Sequence, residues 1–92
     1  MTPETDLKYA KSFTDEGVLI FPGFAEQVAY DFQCDQKRRS GRGSLRGGDP
    51  EQMRNAFKRG QMRLRLADGG EMPIVVVAHS EGTNVAFFEI QE

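Results

Sequence analysis

Tryptophan is absent from this chain of 92 residues, and cysteine and histidine occur once each, as Cys34 and His79. A single cysteine forms no intramolecular disulfide, which makes a reducing cytoplasm the expected location. With a single histidine beside it, His/Cys metal clusters are excluded. Long hydrophobic runs are missing too: the longest, Ile74–Ala78, is far short of the about 18 residues that cross a bilayer, so no membrane insertion is expected. The first six residues, Met-Thr-Pro-Glu-Thr-Asp, have neither the basic nor the apolar part of a signal peptide. No Gly-Lys-Ser/Thr loop occurs. A chain of this length buries about 60–65% of its unfolded surface, enough for one thin core and little else. The expectation is a small non-catalytic domain without cofactor or metal.

What is present is a segregation of charge. Ten of the twelve Lys and Arg residues lie between Lys37 and Arg65 with only two acids, a window of net +8. The remainder carries two bases against twelve acids, net −10, so a formal charge of −2 conceals a strong asymmetry. Such asymmetry suits an anionic partner or is neutralised within the fold.

Residues 1–12 lack a clear period and read as a flexible N-terminal arm, leaving 13–92 as a single β domain. Gly17–Phe21 is a short apolar run stopped by Pro22-Gly23, a first strand. From Val28 the alternation is clean, with Val28, Tyr30, Phe32 and Cys34 inward. A hairpin with Arg38-Arg39 at its tip then pairs Asp35 with Arg42, Gln33 with Ser44, Asp31 with Arg46 and Phe32 with Leu45. That register puts two opposite-charge pairs on the wet face. Asp49-Pro50-Glu51-Gln52 is a helix start, with Asp49 as cap, Pro50 in the first turn and Gln52 completing an approximate capping box. Met53, Ala56 and Phe57 form its apolar stripe, and Gly60 ends it after about ten residues.

Met62, Leu64 and Leu66 alternate inward, with Arg63 and Arg65 outward. A three-residue loop within Ala67–Gly70 places Leu66 opposite Met72 and Leu64 opposite Ile74, so that Arg65 meets Pro73 and Arg63 meets Val75. Residues 72–78 are apolar on both faces, as a central strand is. A two-residue turn at Glu81-Gly82 pairs Phe87 with Val76 and Phe88 with Val75. The layout is two three-stranded antiparallel meanders joined by one helix. The fold class is mainly β, a small six-stranded antiparallel barrel or sandwich with the helix between strands three and four.

Candidate chemistry is sparse. His79-Ser80 resembles the start of a nucleophilic pair, but neighbours on a strand face opposite ways, and Ser80 suits the turn that follows. Cys34 falls on the inward face and reads as an inert buried thiol. Asp31 and Asp35 are about 13 Å apart along one strand, unlike a paired-carboxylate site. The glycine-rich stretch Ser40–Gly48 is the best binding element, because small residues admit an anion to backbone amides and Arg supplies forked donors. Glycines there also suit a tightly curved barrel. The candidate anion-binding residues are Arg42, Ser44, Arg46, Arg54, Arg63 and Arg65, with Arg63, Arg65, Arg54 and Lys58 as the cations that lack an evident internal partner.

Ser44-Leu45-Arg46-Gly47-Gly48 resembles the Ser-x-x-Gly part of the PilZ domain signature, and the Gly60, Leu64, Leu66 spacing resembles the strand that follows it in that family. The resemblance spans roughly Val28 to Ile90 and implies a six-stranded barrel that binds cyclic diguanylate or a protein partner. Arg42 stands where the family has Asp or Asn, and the Arg-x-x-x-Arg match, Arg38 to Arg42, lies inside the barrel instead of before it. The reading is therefore a binding or regulatory module of unknown partner with a basic patch, suited to an acidic protein or a phosphate-bearing ligand. A degenerate cyclic-dinucleotide receptor is one alternative. A nucleic-acid binder is another, disfavoured because no aromatic lies between Gln33 and Ala56 to stack a base.

Overall fold

A computed structural model describes residues 11–37, 39–48 and 50–91. Six strands, β1 (Lys11–Phe21), β2 (Phe24–Cys34), β3 (Gly41–Arg46), β4 (Gln61–Arg65), β5 (Glu71–His79) and β6 (Val85–Ile90), form a closed barrel in the order β1-β2-β3-β6-β5-β4. Every neighbouring pair is antiparallel. The helix α1 (Pro50–Arg59) links β3 to β4. Barrel closure leaves no strand at an outer edge of the ring, which resolves the choice between barrel and sandwich.

The period-two pattern places the core as its alternation dictates: Val28, Tyr30, Phe32 and Cys34 of β2 are buried, as are Met62, Leu64 and Leu66. Phe32 is the centre. It stacks on Phe13 at 5.1 Å, leans on Tyr30 at 5.6 Å and meets the edge of Phe88 at 6.0 Å. Burying one such side chain is worth about 1.5–3 kcal/mol. Gly43 sits opposite Phe32, where a Cβ would overlap the Asp31 carbonyl oxygen and Phe32 itself. The glycine-rich stretch thus serves close approach of β3 to β2.

β1 is longer than Gly17–Phe21: it begins at Lys11, so Lys11 and Ser12, assigned to the arm, pair with Cys34 and Gln33. Three registers differ from expectation. In β2–β3, Ser44 faces Asp31, Arg42 faces Gln33 and Leu45 faces Tyr30, a shift of two residues that preserves the faces but removes both charge pairs. Asp35 has left the ladder to build the turn. Its Oδ1 accepts the Arg39 and Ser40 N–H groups at 2.8 and 3.4 Å, and its own N–H donates to the Ser40 carbonyl.

In β4–β5, the loop is Ala67-Asp68-Gly69, closed by Leu66 N–H to the Gly70 carbonyl at 2.7 Å, with Gly69 at φ 92°. Leu64 then faces Met72, Arg63 faces Pro73 and Arg65 faces Glu71. In β5–β6, a bulge at Val77 lets Val76 face Phe88 and Ala78 face Phe87. The outward side chains of β5 are only partly covered: Val75 is half-buried, while Pro73 and Val77 are exposed.

The helix spans the ten residues expected. Gly60 follows it, its N–H donating to the Ala56 carbonyl at 2.9 Å. The cap assigned to Asp49 lies outside the described residues. Gln52 reaches to Glu26 of β2 at 3.3 Å. Met53 and Ala56 are fully buried, but Phe57, expected to seal the helix, is 44% exposed. The helix rolls toward Gln52 and the β1–β2 hairpin, where Arg59 stands over the Phe21 ring at 5.3 Å, and this lifts the opposite flank, with Phe57, out of the core.

Candidate functional site: an outer cleft over β2, β3, β6 and β5

The six expected anion-binding residues do not converge. In the ring order, β3 and β4 are three steps apart either way, on opposite sides of the barrel. Arg42, Ser44 and Arg46 point outward from β3, Arg63 and Arg65 from β4, and Arg54 from α1. The two β4 arginines share Glu71: Arg63 Nε donates to one carboxylate oxygen at 3.0 Å, and Arg65 donates to the other from Nε and Nη2 at 3.0 and 2.8 Å. Those hydrogen bonds, Arg65's first and then Arg63's, hold the Glu71 carboxyl below its usual value. The cross-strand partner of Arg65, expected to be non-acidic, is therefore an acid, and both cations are tied to one carboxylate that offsets half of their charge. The opposite charges of Arg65 and Glu71 are the sequence signal for this register.

On the other side, two successive cross-strand rows line an open cleft of about 360 Å³. One row runs Asp31, Ser44, Phe87 and the next Gln33, Arg42, Glu89, with Val77 of β5 completing the lining. Its apolar part is Phe87, 43% exposed, beside Val77, 45% exposed at the bulge. With Phe57 these are the large exposed hydrophobic side chains of the described residues. The polar part is mixed in sign but short of cations. Glu89 makes no ion pair or hydrogen bond among the described residues, although Arg42 lies opposite it. Asp31 accepts only a 3.3 Å hydrogen bond from Thr14 Oγ1. The bulge that exposes Val77 carries no signal in a pattern that is apolar on every position.

A cleft this shallow, at the low end of the roughly 300–1,000 Å³ of small-molecule sites and with no buried polar side chain, suits docking of one side chain or a short segment, not enclosed chemistry. His79 stands apart from it, its Nε2 2.8 Å from the Thr83 carbonyl in the β5–β6 turn. Ser80 likewise belongs to that turn, its carbonyl accepting from Thr83 Oγ1 at 2.7 Å. Cys34 is buried, as expected. Among the described residues no group of His, Cys, Asp and Glu is arranged to hold a metal, and no helix is long and apolar enough to cross a membrane. A second cleft, about 670 Å³, lies along the β1–β2 tip and β4, with Phe21 and Phe24 stacked at 4.3 Å; it is almost wholly apolar, and its one cation, Arg63, is held by Glu71.

No family model, curated protein or solved structure matches this chain.

Proposed function

We propose that this domain is a non-catalytic binding module that docks a basic, apolar segment of a protein partner in the cleft over β2, β3, β6 and β5. The observation that carries this reading is the combination of exposed Phe87 and Val77 with two carboxylates, Asp31 and Glu89, that no cation among the described residues engages. An aromatic or aliphatic side chain lies on Phe87, and an adjacent Lys or Arg answers the carboxylates and faces the ring. Contiguous exposed apolar surface with a polar rim marks interaction sites in small soluble domains.

A second reading keeps the cyclic-dinucleotide receptor. Ser44 and Arg46 project from the outer face of β3 next to Gly47, and neither makes a hydrogen bond or ion pair among the described residues, which leaves the Ser-x-x-Gly element open to a phosphate. Asp31 beside Ser44 opposes that charge.

One experiment separates the readings. Fluorescence anisotropy with a labelled Lys-Phe-Lys-containing peptide, with cyclic diguanylate and with a mixed oligonucleotide pool is run at two salt concentrations. The docking reading expects saturable peptide binding that weakens at least tenfold in an Asp31→Asn, Glu89→Gln double variant. Binding of either anionic probe with no binding of the peptide would contradict it.

A further inference from the structure

We infer that a second copy of this chain is an occupant of the cleft, with the Phe57 flank of α1 as the inserted element; this rests on the docking reading above and names its partner. The chain itself carries the chemistry that the cleft lacks. On α1, Phe57 has Arg54 three residues before it and Lys58 one after it, and all three lie on the flank turned away from the Gln52–Glu26 and Arg59–Phe21 contacts. Neither Arg54 nor Lys58 makes an ion pair or hydrogen bond among the described residues. Arg54 sits in a shallow depression with His79, Glu51 and Glu81 without bonding to them. An exposed ring with two cations that bond to nothing among the described residues thus stands on α1, and an exposed ring with two carboxylates that no cation among the described residues engages lies across β6 and β2.

Both elements adjoin β5 and β6. The helix packs on β5 and β6, and its C-terminal end is fixed there by Val76 N–H donating to the Gly60 carbonyl at 2.8 Å, one residue before the exposed Val77. Two complementary patches adjoining the same pair of strands suit a closed, two-fold arrangement. Phe57 of each copy lies on Phe87 and Val77 of the other, and Arg54 and Lys58 of each meet Asp31 and Glu89 of the other. The contact covers the three large exposed hydrophobic side chains of the described residues in one step.

The test is sedimentation equilibrium of the full chain over micromolar to millimolar concentration at low and moderate salt. The expectation is a reversible dimer whose dissociation constant rises at least tenfold in Asp31→Lys, Glu89→Lys and in Arg54→Glu, Lys58→Glu. All four positions are exposed, and amide spectra of the variants confirm that the barrel is kept. An equimolar mixture of the two variants should recover a heterodimer of near wild-type affinity, since both reciprocal contacts then carry opposite charges. A chain that stays monomeric to millimolar concentration, or variants that fail to recover one another, would overturn the inference. Peptide binding in the cleft by a strictly monomeric chain would sink self-association alone, whereas loss of both would sink the docking reading with it.

Discussion

Among the described residues, Glu71 and Asp35 are the carboxylates whose chemistry the fold changes most clearly. Arg65 and then Arg63 lower Glu71 from the ordinary 4.5, and the Arg39 N–H, with help from Ser40, lowers Asp35 from 3.8. A depressed folded-state value contributes stability that is present above the unfolded value and lost as pH falls through the folded one. Stability should therefore be level above about pH 5 and decline below it, with a decline that salt reduces at the exposed Arg–Glu cluster. Glu71→Gln with Asp35→Asn should flatten the acid limb in urea unfolding followed between pH 6 and 2.5; an unchanged limb would mean these contacts are not formed. Asp35 also explains a misread pairing. Its charge suggested a strand partner in Arg42, but a short carboxylate two residues from a bend competes well for backbone N–H groups, and periodicity carries no sign of that competition.

Elements were more legible than their pairings. Pro50 at the start and Gly60 at the stop delimit α1 because proline and helix-ending glycine chemistry are local. Inward and outward faces follow from alternation and survive any shift of two residues, which is why the core composition was readable while the β2–β3 and β4–β5 registers were not. The roll of α1 depends on Glu26 and Phe21, about 30 positions away, and so was invisible in its own stripe. That roll reverses an expectation. Met53→Ala should cost about 2–5 kcal/mol, whereas Phe57→Ala, starting half out of the core, should cost less than about 1 kcal/mol. Guanidinium unfolding of the two variants checks the order; a larger loss for Phe57→Ala would place that ring in the core.

Across the whole molecule, closure depends on a short seam. β1 and β4 pair only through Val18, Leu19 and Ile20 with Arg65, Leu64 and Arg63, while β1 and β2 pair along eleven positions. Gly17 lies next to the seam, where a Cβ would overlap the Arg65 carbonyl oxygen, so Gly17→Ala should destabilise by about 1–3 kcal/mol. In native-state hydrogen exchange, the β1–β4 amides should open before those of β2–β3 in that variant; uniform protection would contradict a weak seam. The ring order is also what divides the basic window between opposite sides of the barrel, with β3 on one and β4 on the other. It arises from β1–β4 and β3–β6 pairings between residues some 45 positions apart, which no local pattern specifies. A segregated charge in sequence thus became a dispersed one in space, and the docking surface we propose is a mixed-charge cleft instead.

The most direct measurement of that claim is an amide-shift map of the labelled chain titrated with the Lys-Phe-Lys peptide at a concentration where the chain is monomeric. Shifts should cluster at Asp31, Ser44, Val77, Phe87 and Glu89, with Arg63 and Arg65 on the far side unmoved. Shifts centred on Arg63 and Arg65, or spread evenly over the barrel, would contradict it.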